Sequence, residues 1–110
     1  MIPSLHLAKK IIKEKFDEKI SLASLCKKTA LNEYKLKKGF KELFGVSIRE
    51  YKVYLKMAHA KWMLLGTKEK ISAIAYSVGY ERHVSFTLEF KKRFGVSPKE
   101  YRKCYSYSKK

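Results

Sequence analysis

Hydrophobic residues recur along this 110-residue chain mainly at intervals of three and four positions. That spacing places them on one face of an α-helix, whereas a β-strand would need polar and apolar residues in alternation. The spacing predicts a first helix over residues 5–16. Its apolar positions are Leu5, Ala8, Ile12 and Phe16. No stretch shows sustained alternation, and the chain has only two prolines, so the pattern predicts an all-α fold.

The rest of the chain contains an internal repeat. "FKELFGVSIREY" at 40–51 and "FKKRFGVSPKEY" at 90–101 agree at eight of twelve positions, at an offset of fifty residues. Upstream, "LASLCKKTALN" at 22–32 aligns with "ISAIAYSVGYE" at 71–81 at an offset of forty-nine, so the second copy has one extra residue just after the turn. Two copies are too few for a solenoid. They indicate two modules joined by a connector.

Each copy has the same internal order of elements. A short helix comes first, with apolar positions at Leu22, Leu25 and Cys26 in one copy and at Ile71, Ile74 and Ala75 in the other. A break follows, where Gly79 of the second copy can take the positive φ that a tight turn needs. A longer helix then has apolar anchors at Leu36, Phe40 and Leu43 or Phe44, matched by Phe86, Phe90 and Phe94. This order predicts a helix-turn-helix unit in each copy.

The end of each longer helix is also marked in the sequence. Gly45 and Gly95 follow the last apolar anchors, as glycines at helix C-termini do. "SIRE" at 47–50 and "SPKE" at 97–100 then have the serine and glutamate of a capping box, which predicts a new helix. Pro98 falls at the first helical position, where its missing N–H costs nothing.

A connector helix is predicted over residues 48–65. The apolar positions along its one predicted face are Tyr51, Leu55, Ala58, Trp62 and Leu65, and we expect Trp62 to lie in the core. About seven helices result: one leading helix, two helix-turn-helix pairs, the connector and a closing helix. The predicted parts are a first unit over 5–47, the connector over 48–65, a second unit over 66–103 and a basic tail over 104–110.

The charge of the chain favours a polyanionic partner. Its 26 Lys and Arg against 10 Asp and Glu give a net charge of +16, which suits phosphate neutralisation and counterion release. Charge alone does not choose between DNA, RNA and an anionic membrane. The lysines are spread over several helices, which disfavours a single membrane-surface helix. No signal peptide and no stretch long enough to span a bilayer is visible, so we expect a cytoplasmic protein with no membrane partner.

The sequence offers little that would support catalysis or metal binding. It has no paired carboxylates in a candidate pocket, no nucleophile elbow and no phosphate loop. Cys26 and Cys104 lack metal-ligand spacing, and the three histidines are scattered. We expect Cys26 to be a small buried thiol at the crossing of two helices. The prediction is a protein without enzymatic activity, metal or cofactor.

In a helix-turn-helix unit the second helix enters the major groove of DNA. Opposite the apolar anchors, the outward residues are Tyr34, Lys37, Lys38 and Lys41 in the first unit and His83, Val84, Thr87, Leu88 and Lys91 in the second. Two interpretations stay open for these residues. Exposed lysines can be merely solvated, and Tyr34 can be a surface aromatic. Lys91, Lys92 and Arg93 fit either phosphate contacts or compensation of the helix dipole.

The second unit carries the most specific motif, "ISAIAYSVGY" at 71–80, then Phe86, "FKKRFGVSP" at 90–98 and "YR". Together with the first unit, it resembles the DNA-binding region of the AraC/XylS family of bacterial transcription regulators, over about residues 5–103. The resemblance implies one DNA-binding domain over 1–110, whose two units read successive major-groove segments of double-stranded DNA. It also implies regulation, mostly activation, of transcription at promoters, with RNA polymerase as a partner.

Carried onto this chain, the resemblance implies specific site residues. Base-reading residues would be Tyr34, Lys37 and Lys38 in the first unit and His83, Val84, Ser85 and Leu88 in the second. The expected phosphate contacts are Lys35, Lys41, Arg82, Thr87, Lys91 and Lys92. Ser85 rests on the resemblance alone. Leu88 stands where the family often has arginine, and Glu81 stands where a capping Ser or Asp is usual. These departures suggest that the second unit binds mainly through contacts to the DNA backbone, with less discrimination between bases.

Most members of the family also carry a sensing or dimerising domain, for which 110 residues leave no room. We therefore expect either a fragment of a longer regulator or a small stand-alone member, monomeric, nucleoid-associated and without a bound small-molecule effector. The competing hypothesis is a protein that binds DNA or RNA through charge alone. It predicts that the loss of Lys38 has the same effect as the loss of any other lysine.

Overall fold

A computed structural model describes residues 1–18 and 20–105. These residues form seven helices, α1 (Ile2–Glu14), α2 (Leu22–Thr29), α3 (Glu33–Phe44), α4 (Ile48–Gly66), α5 (Ile71–Ser77), α6 (His83–Phe94) and α7 (Pro98–Tyr105). The described residues contain no strand, and the all-α prediction is confirmed. The chain divides into two compact units, Met1–Leu55 and Lys56–Lys110. Of the predicted basic tail, Cys104 and Tyr105 lie in α7, and 106–110 lie outside the described residues.

The first unit packs α1, α2, α3 and the start of α4 around one hydrophobic cluster. Its buried side chains are Leu5, Ala8, Ile12, Leu25, Leu36 and Phe40. The prediction that Phe16 belongs to the first helix is wrong. The chain leaves helical geometry at Lys15 (φ −126°, ψ 28°), and Phe16 lies beyond the helix, where it is half-buried. The Cys26 thiol, predicted to be buried, is also only half-buried.

Gly39 lies in the middle of α3, where a glycine costs about 1 kcal/mol relative to alanine. The structure gives the reason. A Cβ atom at this position would lie 2.9 Å from Cδ1 of Leu5 and 3.3 Å from Cε of Met1. The glycine therefore lets α1 and α3 approach each other closely in the first unit.

The second unit uses other positions of α4 for its core than the sequence pattern predicts. Its buried residues are Met57, Ala60, Leu64, Ile74, Ala75, Val78, Phe86, Phe90 and Pro98. Trp62, predicted to be in the core, is 65% exposed, and Ala58 is exposed as well. The prediction assumed one apolar face along the whole connector. That assumption fails because the first part of α4 packs in one unit and the last part in the other.

The turns between the paired helices differ in the residue that takes a positive φ. In the first unit Ala30 ends α2 with φ 60°. In the second unit Gly79 takes φ 97°, as predicted. The amide of Gly79 donates to the carbonyl of Tyr76 at 3.0 Å, and that of Tyr80 donates to Ala75 at 3.0 Å. These two bonds form a Schellman motif and satisfy carbonyls at the end of α5.

The two glycine stops are nearly identical. Gly45 has φ 81° and Gly95 has φ 84°, both left-handed. In each case the glycine amide donates to a carbonyl four residues earlier, Lys41 or Lys91, at 2.8 Å. The prediction that these glycines end α3 and α6 is confirmed. Because φ in this range strains any residue with a Cβ, the repeat keeps glycine at both positions.

The serine caps that follow are confirmed, with one difference. Ser47 Oγ accepts from the amide of Glu50, and Glu50 Oε1 accepts from the amide of Ser47, both at 3.1 Å. This is a complete capping box. In the second unit Ser97 Oγ accepts from the amide of Glu100, but its hydroxyl also donates to the glutamate Oε1, both at 3.2 Å. Pro98 lies at the first position of α7, as predicted.

Two phenylalanines and one tyrosine meet in each unit and explain why the repeat is so similar. They are Phe40, Phe44 and Tyr51 in the first unit and Phe90, Phe94 and Tyr101 in the second. From the first phenylalanine, the ring centroids of the other two lie at 4.7 and 5.9 Å in the first unit. They lie at 4.5 and 5.5 Å in the second. The same aromatic cluster therefore joins α3 to α4 in the first unit and α6 to α7 in the second.

The sequence left Leu43 and Phe44 as alternatives for the third apolar anchor of α3. The structure shows that the anchor is Phe44. Leu43 is 40% exposed, whereas Phe44 is half-buried and lies 4.5 Å below the ammonium group of Lys9. Burial raises the pKa of the neighbouring Tyr51 phenol, and Tyr54 adds to the shift.

Arg102 joins α7 to the end of α4 within the second unit. Its guanidinium group donates to three backbone carbonyls, those of Leu64 at 3.0 Å, Glu69 at 2.6 Å and Thr67 at 3.2 Å. Carbonyls at a helix C-terminus have no partner within the helix, and a cation is favourable there. The arginine of the "YR" motif is thus a structural residue that fixes the loop before α5.

Candidate nucleic-acid interface

The outward face of α3 presents the residues that the sequence predicts as DNA contacts of the first unit. Tyr34 is 67% exposed, and Lys35, Lys37, Lys38 and Lys41 are also exposed. The helix begins at Asn32, whose side-chain Oδ1 accepts from the amide of Lys35 at 2.8 Å. This cap fixes the first turn, and the buried Leu36 and Phe40 hold the opposite face.

Two pairs of side chains organise this face. Lys38 Nζ donates to the hydroxyl oxygen of Tyr34 at 3.1 Å and lies 5.4 Å from its ring centroid. Lys37 Nζ lies 3.3 Å from Glu33 Oε1. Both pairs span one helical turn, the i,i+4 spacing at which side chains meet, so the sequence could have revealed them. The structure therefore brings Tyr34 and Lys38 together as one donor group, while Lys37 has an acidic neighbour.

Helix α6 begins one residue later than the sequence interpretation assumed. Arg82, and not Glu81, is the N-cap of α6, with extended backbone angles (φ −118°, ψ 123°) and no side-chain capping bond. The extra residue of the second copy lies before the cap, so that Arg82 corresponds to Asn32. The interpretation that Glu81 occupies the capping position is therefore wrong, because Arg82 occupies it.

The outward face of α6 is apolar at two positions where the face of α3 is polar. Val84 is 61% exposed and Leu88 is 65% exposed. At the offset of fifty they correspond to Tyr34 and Lys38. His83 and Ser85 are exposed beside them, and Thr87 is half-buried. All four predicted base-reading residues of the second unit are thus accessible.

The positively charged phosphate contacts predicted for the second unit lie at both ends of α6, whereas Thr87 lies in its middle. Arg82 is exposed at its start, and Lys91 and Lys92 are exposed in its last turn. Since these lysines lie at the C-terminus, compensation of the helix dipole fits their position as well as a phosphate contact does. Tyr76 of α5, 77% exposed, was not singled out from the sequence.

Residues 1–18 and 20–105 offer neither a metal-binding cluster nor a membrane-spanning helix. No group of three His, Cys, Asp or Glu side chains there could hold a metal ion. No helix in these ranges has the combined length and apolar character that crossing a bilayer requires.

Comparisons with known proteins agree with this arrangement. A family model described as a helix-turn-helix domain matches residues 25–104. The chain is 33% identical over 99 residues to the lactose operon transcription activator of Staphylococcus xylosus, which covers 90% of this chain and 36% of that protein. The C-terminal domain of AraT, a response regulator from Geobacillus stearothermophilus, is 30% identical, with a TM-score of 0.91 over 97% of this chain and 89% of that one.

The same fold occurs in a structure that contains DNA. The DNA-binding domain of AdpA, solved in complex with a target DNA, has a TM-score of 0.85 at 19% identity, over 92% of this chain and 91% of that one. At this identity the likeness concerns the fold. The chain spans about one third of the length of the curated relatives that it matches.

Proposed function

This chain belongs to the AraC family of helix-turn-helix transcription regulators, and we propose from that premise that it binds double-stranded DNA sequence-specifically at promoters and regulates transcription. In this proposal α3 and α6 enter the major groove. The relatives named as transcription activators support activation as the direction of regulation.

The observation that carries the proposal is the exposed donor group on α3. Tyr34 and Lys38 form one hydrogen-bonded pair on the solvent side of a helix whose other side is fixed in the core. Amine donors suit the O6 and N7 acceptors of guanine in the major groove. We assign base contacts to Tyr34, Lys37 and Lys38, and to His83, Val84, Ser85 and Leu88.

Phosphate contacts would set the position of each helix on the duplex. We assign them to Lys35, Lys41, Arg82, Thr87, Lys91 and Lys92, of which all but Thr87 carry positive charge and are exposed. The net charge of +16 supports this assignment, because each neutralised phosphate releases counterions.

Several narrower statements belong to the same proposal. The isolated chain acts as a monomer in the cytoplasm, on the nucleoid, without enzymatic activity and without a bound effector. RNA polymerase is its protein partner at promoters.

A binding titration tests the proposal. A promoter duplex selected for tight binding and a scrambled duplex of the same composition are titrated at several salt concentrations. Affinity for both should fall steeply with salt, while a preference for the selected duplex remains at moderate salt. Equal affinity for both duplexes at every salt concentration would contradict the proposal and support charge-driven binding without sequence preference.

A further inference from the structure

The second reading helix exposes two aliphatic side chains that the fold does not bury. Val84 and Leu88 lie one helical turn apart on the outward face of α6, 61% and 65% exposed. Neither has a donor or acceptor with which to hydrogen-bond a base edge. Because apolar surface in water is unfavourable, a partner that covers both side chains with apolar atoms would gain free energy.

The major groove of DNA has one apolar feature, the C5-methyl group of thymine. Given the proposed function, on which this inference rests, we propose that the second unit recognises thymine through contacts of Val84 and Leu88 with these methyl groups. In this proposal the aliphatic pair specifies a base. The absence of hydrogen-bonding side chains at these two positions then does not mean that the second unit has lost base recognition.

The spacing of the two side chains fits this role. Four residues of α-helix rise about 6 Å, and successive bases of one DNA strand are about 3.4 Å apart along the duplex axis. Two side chains one turn apart therefore reach bases about two steps apart. We expect two thymines at that separation in the half-site of the second unit, each contacted by one side chain.

The charges around this pair suit binding in the groove. Arg82 at the start of α6 and Lys91 and Lys92 in its last turn lie at the two ends of the helix. Contacts from these ends to phosphates would position the helix without reading sequence. The apolar pair between them would then be held against the base edges.

The experiment replaces thymine with deoxyuridine, which removes the methyl group and keeps the base pair. Starting from a duplex selected by the full chain out of random sequence, each thymine is replaced singly and the affinity is measured. Loss of one buried methyl contact should weaken binding about fourfold. We expect this loss at two thymines about two base steps apart.

Substitutions in the protein link the effect to α6. In a Val84→Ala, Leu88→Ala double variant, affinity for the thymine duplex should fall and the effect of deoxyuridine should disappear. The control is Leu43→Ala, which removes an exposed aliphatic side chain at the end of α3 and should leave the deoxyuridine effect intact. Both positions of the double variant are exposed, and an unchanged melting temperature checks that it folds.

The outcomes separate the inference from the proposed function. A preferred duplex whose affinity is unchanged by deoxyuridine at every thymine overturns the inference and leaves sequence-specific binding standing. A deoxyuridine effect that persists in the double variant also overturns it, because other residues would then read the methyl groups. If no duplex is preferred over scrambled DNA, the proposed function and the inference fail together.

Discussion

In the first unit the outward face of α3 presents a phenol and an amine, Tyr34 and Lys38, joined by a hydrogen bond of 3.1 Å. In the second unit the positions fifty residues later present Val84 and Leu88, both more than 60% exposed. Behind these faces the two units share a glycine stop and a cluster of two phenylalanines and one tyrosine.

The comparison shows which residues the repeat can change. Glycines that determine the backbone geometry are kept, and core positions stay apolar although the side chain can differ, because a larger change there costs stability. Positions on the outward face carry no such constraint and have diverged in chemistry. The units also differ in their supports, since only the second has the Arg102 contacts and only the first has a side-chain cap on its reading helix.

The largest expected effect concerns the support of the second unit. Arg102→Ala removes three charge-assisted hydrogen bonds to backbone carbonyls and should lower the free energy of unfolding by about 3 kcal/mol. Urea denaturation measures this loss. Lys52→Ala, at the corresponding position of the first unit, removes none of these bonds and serves as the control. Equal losses for both variants would contradict the structural role of Arg102.

The next prediction concerns the reading face of the first unit. Lys38→Ala should weaken binding to a selected duplex by about 1–3 kcal/mol and reduce the preference for guanine at one position. Lys13→Ala, which removes an exposed lysine from the last turn of α1, should weaken binding to all duplexes alike. Titrations of selected and scrambled duplexes with both variants give the comparison. Identical profiles would favour binding through charge alone.

Substitutions in the turns of the two units should change the stability of the protein in opposite directions. Gly79→Ala places a Cβ at φ 97° and should destabilise the protein by about 1–2 kcal/mol. Ala30→Gly relieves the left-handed strain at φ 60°, but it adds freedom to the unfolded chain, so we expect a net gain of about 0.5 kcal/mol. Thermal unfolding should show the two changes with opposite signs. A loss of stability in Ala30→Gly would show that this turn is not strained.

The smallest expected differences lie at the two N-caps. Asn32→Ala removes the bond to the Lys35 amide and should cost about 1 kcal/mol of stability. Arg82→Ala removes a residue that makes no side-chain capping bond and should leave stability nearly unchanged. Chemical denaturation of both variants tests the asymmetry. A comparable loss in Arg82→Ala would mean that this side chain supports α6 by another contact.

Local signals in the sequence predicted most of the fold. The glycine stops, the serine caps and the i,i+3,i+4 spacing act over a few residues, and each helix appears close to where they place it. The prediction that Trp62 lies in the core was wrong because the spacing of apolar residues cannot show that the two parts of α4 pack in different units. The role of Arg102 was missed because its carbonyl partners lie 33 to 38 residues earlier in the chain.

For the candidate site, the sequence predicted which side chains are exposed but not the contacts that they make. Exposure of Tyr34, Lys38, Val84 and Leu88 followed from the positions of the buried anchors on the same helices. Their contacts did not, although the i,i+4 spacing of Tyr34 and Lys38 was available. The cap of α6 was assigned to Glu81 from the family resemblance, and the backbone angles of Arg82 place it one residue later.

Selection of bound sites from random duplex DNA tests the central claim most directly, namely that two units with one scaffold read different bases. We predict two separate boxes, one with guanine that weakens in Lys38→Ala and one with thymine that weakens in the Val84→Ala, Leu88→Ala variant. A single box that only the Lys38 substitution affects would contradict base reading by the second unit. The absence of any enriched box would contradict sequence-specific binding by both.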